Sequence, residues 1–215
     1  MNTKKINSFI FRDISLNISY THFILCALFF CSGYSALIYQ IMWQRMLFTI
    51  FGVDLESITI IVSVFMFGLG IGGILGGIIA DKLSSKLLMT YTLIEISIAT
   101  FGFFSPGIID GLGADLFIDN KFVTGVASFL ILAFPTILMG ATFPILVTHV
   151  NTFFQNIGRS VGDLYFANTL GGALGAYFSG FVLLYVTDIV GAIHWAALIN
   201  LLIAVVAFVV FRRRN

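Results

Sequence analysis

Charge is scarce in this chain. Ten acidic and eleven basic residues make up 10% of its 215 positions, where a soluble domain carries about 25%. That excludes an ordinary soluble globular domain, and a net charge of +1 supplies no basic surface for nucleic acid. Proline occurs three times and cysteine twice. Cys26 and Cys31 lie five apart in one apolar run, on diverging faces of a helix, which argues against a disulfide between them and offers no redox or metal-binding set. His149 and His194 stand singly near helix ends, so no metal and no cofactor is expected. The first twenty residues lack the short apolar core and small-residue cleavage site of a signal peptide, and the N-terminus is expected to be retained.

What is abundant is apolar surface and glycine: 59% hydrophobic residues and 21 glycines. Runs long enough to span a bilayer fall at about 23–50, 57–80, 87–108, 122–149, 161–186 and 189–211, since about twenty apolar residues cross the hydrocarbon. The fold class is therefore all-α, a polytopic membrane protein with six transmembrane helices. Residues 1–22 read as an N-terminal segment, 23–211 as the transmembrane domain and 212–215 as a basic tail. Within the first segment, Ile6, Phe9, Ile10 and Ile14 at helical spacing beside Lys4, Lys5 and Arg12 fit either an amphipathic helix on the membrane surface or a disordered tail. Lys82, Lys86, Arg159 and Arg212 to Arg214 fall on the same side as those basic residues, so both termini are expected in the cytoplasm. The opposite side carries Asp54, Glu56, Asp110, Asp115, Asp119 and Asp188, either as ordinary solvated loops or as an acidic vestibule that concentrates cations.

The second run is dense in glycine from Gly68 to Gly77 and stops at Asp81-Lys82. Each glycine costs a helix about 1 kcal/mol against alanine in water, a cost that close helix packing in lipid offsets. Gly68, Gly72 and Gly76 are spaced by four, and the fifth run repeats the device with Gly171 and Gly175, then Gly172, Ala176 and Gly180. These are expected to be packing positions, the Gly68 stripe meeting the Gly171 stripe within one copy or across a homodimer. Each glycine-rich helix is the middle of a group of three, and two such groups of opposite topology form each half of a major facilitator transporter. The turn Gly77-Ile-Ile-Ala-Asp81-Lys82-Leu-Ser84-Ser85-Lys86 resembles the loop signature those proteins carry between their second and third helices, with Ser84 where glycine is usual. Asp81, Lys82 and Lys86 are thereby candidates for a gating loop.

An ionisable group inside a membrane helix costs about 3 kcal/mol or more, which singles out Glu95. Counting about 1.5 Å per residue, Glu95, Asn168 and Thr142 fall at similar depths and are expected in one polar layer that holds a cation or a proton, or simply satisfies its own groups. Tyr165 and Asp163 open the fifth helix at the same end. Tyr39, Gln40 and Trp43 lie towards the outer half of the first helix, either as an aromatic belt or as a stack that takes an amine.

Three stretches carry a closer resemblance: Ser32-Gly33 through Tyr39-Gln40 and Trp43 to Leu47, Pro135-Thr136 through Gly140-Ala141-Thr142 to Pro144, and Gly162-Asp163 through Tyr165 and Asn168 to Gly171. Their order and spacing resemble the membrane domain of bacterial membrane-bound spermidine synthase-like proteins. Gln40 stands where that family usually has glutamate. The resemblance implies a cytoplasmic catalytic domain with a glycine-rich nucleotide-binding turn in many relatives, and no such strand-glycine-helix motif occurs in these residues. The expectation is a non-enzymatic membrane subunit that binds or moves a small polyamine-like cation and works with a separate soluble aminopropyltransferase-like subunit. The alternatives are an autonomous dimeric transporter and a structural anchor without a ligand.

Overall fold

A computed structural model describes the backbone of residues 3–52, 54–114 and 121–212 and the side chains of 19–52, 55–112 and 122–210. The helices are α1 (Thr3–Phe51), α2 (Asp54–Lys82), α3 (Leu87–Ala114), α4 (Lys121–Phe154), α5 (Ile157–Phe178) and α6 (Ile189–Arg212). A 3-10 turn at Ser84–Lys86 precedes α3, and α5 continues through a π-helical stretch, Ser179–Leu183, into a last turn at Leu184–Val186. Six segments are long and apolar enough to cross a membrane: Ser19–Phe51, Leu55–Lys82, Ser84–Leu112, Phe122–Phe154, Ile157–Val186 and Ile189–Val210. The protein is an all-helical, multi-pass membrane protein. Large apolar side chains such as Met66, Leu130, Phe166 and Phe181 lie exposed on its outside, a surface that hydrocarbon covers and water would not.

The expected spans agree with these segments to within a few residues, and the difference is polar: helices run on past the last apolar residue where their ends meet water and find caps. Gly52, at φ 71°, closes α1 in the left-handed conformation that glycine adopts without strain. Asn156 starts α5 by accepting a hydrogen bond from the Arg159 amide at 3.0 Å, and Asp188 starts α6 by accepting from the Gly191 amide at 2.8 Å. α1 runs without a break from Thr3; the amphipathic face expected of Ile6 to Ile14, the basic tail from Arg212 onward, and Asp54, Asp115 and Asp119 of the acidic side lie outside the described side chains.

α2 packs most extensively along α4, α1 along α5 and α3 along α6, with α3 also against α4 and α1 against α6. Glycine sets the first two crossings. A methyl added at Gly68 would overlap Thr136, at Gly72 the Ile137 carbonyl, and at Gly76 Ala141 and Pro144, all on α4. Across the other pair, Gly171 meets the Phe30 carbonyl, Gly175 the Tyr34 carbonyl, and Gly33 of α1 meets Asn168. The two glycine stripes therefore do not meet each other, which corrects that expectation: each is filled by a neighbouring helix of the same chain. Gly180 also leaves the predicted stripe. The π-helical stretch rotates it outward, with nothing within 4 Å of an added methyl, and Ser179 takes the buried place above Gly175, donating to the Gly175 carbonyl at 2.7 Å.

Pro135 and Pro144 lie inside the uninterrupted α4. Thr136, between them, donates to the Leu132 carbonyl at 2.9 Å and reaches the Val64 carbonyl of α2 at 3.3 Å. This segment is packed onto α2, with Thr136, Ala141 and Thr142 all buried.

Candidate functional site

Glu95 is wholly buried and is the one charged side chain among the buried residues described. It sits about 12 Å along α3 from Leu87, at about 1.5 Å per residue, in the half of the bundle nearer the basic turns. Ser32 of α1 donates its hydroxyl to Glu95 Oε1 at 2.8 Å, and Asn200 of α6 donates Nδ2 to Oε2 at 2.6 Å. The carboxyl thus ties three helices together. Around it stand polar atoms without partners: Asn200 Oδ1 accepts nothing, and the Tyr91 hydroxyl, one turn earlier on α3, faces the same carboxyl without hydrogen-bond geometry. Such atoms are expensive in a bundle interior, and these two stand around the one buried acid among the described residues.

The polar seam continues along α1 and α3 towards the acidic end. Tyr39, fully buried with its hydroxyl unpaired, lies against Gly102, where a side chain would overlap its ring. Trp43 stacks on Tyr39 with centroids 4.9 Å apart and donates Nε1 to Ser105 Oγ at 2.8 Å, while Ser105 donates to the Gly102 carbonyl at 2.8 Å. The pairs Ser32 with Glu95, Tyr39 with Gly102, and Trp43 with Ser105 keep nearly constant spacing, as two helices running side by side in the same direction require. Gln40 is half-buried on the same turn of α1.

The other sequence-predicted residues take different partners. Asn168 donates Nδ2 to the Phe29 carbonyl of α1 at 3.1 Å, at the close approach that Gly33 permits. Thr142 donates to the Met139 carbonyl of its own helix at 2.6 Å. Glu95, Asn168 and Thr142 therefore share a depth without bonding one another, because the direction a side chain leaves its helix selects the partner. Asp163 pairs with His22 at 3.3 Å and with Arg159 at 3.5 Å, fastening the start of α5 to α1. Tyr165 is 63% exposed with an edge towards Phe143, and Asp81, Lys82 and Lys86 are exposed on the turn between α2 and α3. An apolar groove of about 590 Å³ lies apart from Glu95, between the starts of α2 and α4, with Phe51, Leu55, Thr59, Phe122 and Phe129 among its walls.

Sequence reasoning missed Asn200, Tyr91 and the role of Ser32. A signal for the first existed: Asn200 is the one side-chain amide in α6, an otherwise apolar helix.

No family profile matches the chain, and no solved structure matches it. A polyamine aminopropyltransferase of Oceanobacillus iheyensis is 25% identical over 180 residues, covering 82% of this chain. The chain spans one third of that relative's length, 33%. Over those 180 residues the chain is thus similar to one part of a polyamine aminopropyltransferase.

Proposed function

We propose that this chain is the membrane subunit of a polyamine-handling system: it binds or moves a small polyamine-like cation, does not itself catalyse, and works with a separate cytoplasmic aminopropyltransferase-like enzyme. Glu95 carries the reading. It is buried, has no basic side chain among its hydrogen-bond partners, and lies beside unpaired oxygens, the surroundings in which a positive charge lowers the free energy most. The likeness to a polyamine aminopropyltransferase supplies the class of cation. Lys82, Lys86 and Arg159 at one end of the bundle support an inner-membrane placement with both termini cytoplasmic.

The same reading takes the bundle as two inverted groups of three helices, α1 to α3 and α4 to α6, like half of a major facilitator transporter. The two glycine crossings support it at residue level. Positions 30, 33 and 34 of α1 correspond at constant spacing to 137, 140 and 141 of α4, and positions 69, 72 and 76 of α2 to 168, 171 and 175 of α5. Gly72 against the Ile137 carbonyl has its counterpart in Gly171 against the Phe30 carbonyl, and Gly76 against Ala141 in Gly175 against Tyr34. Exchanging the groups also turns the α3 with α4 contact into the α6 with α1 contact. An autonomous homodimer would need a surface other than these stripes, which the chain fills itself.

Calorimetric titration of the detergent-solubilised protein with spermidine tests the function. Glu95→Gln is expected to weaken binding about tenfold or more, the ~1.4 kcal/mol of a charge-assisted contact. Unchanged affinity would remove Glu95 as the cation site.

A further inference from the structure

Asn200 presents its amide to Glu95 in a way that an ionised carboxylate satisfies only by half. Nδ2 donates to Oε2 at 2.6 Å and Ser32 donates to Oε1 at 2.8 Å, so both carboxyl oxygens have donors. The amide oxygen Oδ1 is buried and has none. The missing partner is a single hydrogen. A proton on Oε1 supplies it, because a carboxylic acid and a carboxamide form a closed pair: the amide N–H donates to one acid oxygen and the acid O–H donates to the amide oxygen.

We infer that Glu95 and Asn200 form a proton-binding site across the α3–α6 interface, in which the neutral acid donates to Asn200 Oδ1 and the pair locks the two helices together. Room favours a proton over a metal cation. Glu95 is 0% exposed and Asn200 1%, so in the closed arrangement only a proton fits, and any cation, the proposed polyamine included, reaches Glu95 only once Ser32 and Asn200 turn their donors away. No basic side chain described lies close: α3 carries none, α4 has only Lys121 and His149 and α6 only His194 and Arg212, all near helix ends, while on α1 His22, paired with Asp163, and the exposed Arg45 lie about 15 and 20 Å along the helix from Ser32. The titratable groups that face Glu95 are Tyr91 on its own helix and Cys31 and Tyr39 on α1, none of them cationic. Loss of the proton leaves Oε1 and Asn200 Oδ1 as two opposed acceptors, so the lock opens when the proton leaves or a cation replaces it.

The inference rests on the preceding reading only in naming what displaces the proton, and its test reads the proton itself. Infrared spectroscopy of the purified full chain at neutral pH, wild type minus Glu95→Gln, is expected to show a protonated-carboxyl C=O band that shifts on deuteration. Asn200→Leu is expected to move that band to higher frequency by removing its hydrogen bond, and Asn200→Ala serves the same purpose if the leucine variant does not fold. A carboxylate band in place of the acid band, or an acid band that Asn200 variants leave unmoved, overturns the inference. Spermidine binding without an acid band would keep the proposed function and remove the proton site; an acid band without spermidine binding would do the reverse.

Discussion

Gly72→Leu is expected to abolish accumulation of the folded protein, while Gly73→Ala, one residue along the same helix, leaves it intact. The first methyl at position 72 already overlaps the Ile137 carbonyl, with Ala141 and Gly140 backbone next to it. Backbone cannot rotate away as a flexible side chain can, so α2 and α4 must separate along the most extensive contact in the bundle. The cost exceeds about 4 kcal/mol, the range that marks a broken core. Gly73 has nothing within 4 Å, and alanine there gains up to about 1 kcal/mol of helix propensity as measured in water. Expression followed by size-exclusion chromatography in detergent reads the contrast. Equal recovery of both variants would mean that the Gly72 face is not a helix contact.

The second large effect lies at the other end of the polar seam. Trp43 is wholly buried, stacked on Tyr39, with Phe65 and Phe101 at centroid distances of 6.2 and 5.9 Å. Trp43→Ala removes that packing and is expected to cost about 3–5 kcal/mol, as other buried aromatic truncations do. Trp43→Phe keeps the stack and loses only the bond to Ser105, whose hydroxyl still donates to the Gly102 carbonyl, so about 1 kcal/mol is expected. Thermal unfolding in detergent measures both. A Trp43→Ala protein that melts like wild type would place Trp43 outside the core. The expected amine stack on Tyr39 and Trp43 is thereby recast, because each ring already occupies a face of the other.

These two contrasts show where sequence was informative. The six spans were legible because a bilayer demands long apolar helices, and the ends alone moved, where caps such as Asn156 and Asp188 let helices continue into water. The glycine spacing marked close approach but not the partner. A bare stripe admits any helix that offers small residues, and Gly68 to Gly76 found Gly140 and Ala141 of α4 while Gly171 and Gly175 found α1. Glu95 stood out because a buried acid is costly at any orientation. Its partners did not, since serine and asparagine occur in several helices, and only the rotation of α1 and α6 about their axes brings Ser32 and Asn200 to one carboxyl. Glu95, Asn168 and Thr142 take separate hydrogen-bond partners for the same reason: counting residues gives depth and leaves direction undetermined.

Glu95 is the one acidic side chain buried among the described residues, and it is where the proposed proton and the proposed cationic metabolite would exclude each other. Titrating spermidine into weakly buffered, detergent-solubilised protein while recording both heat and released protons tests this most directly. Saturable binding with stoichiometric proton release is expected in the wild type, and weaker binding without release in Glu95→Gln. Binding that releases no proton in the wild type, or releases as much from Glu95→Gln, would contradict it.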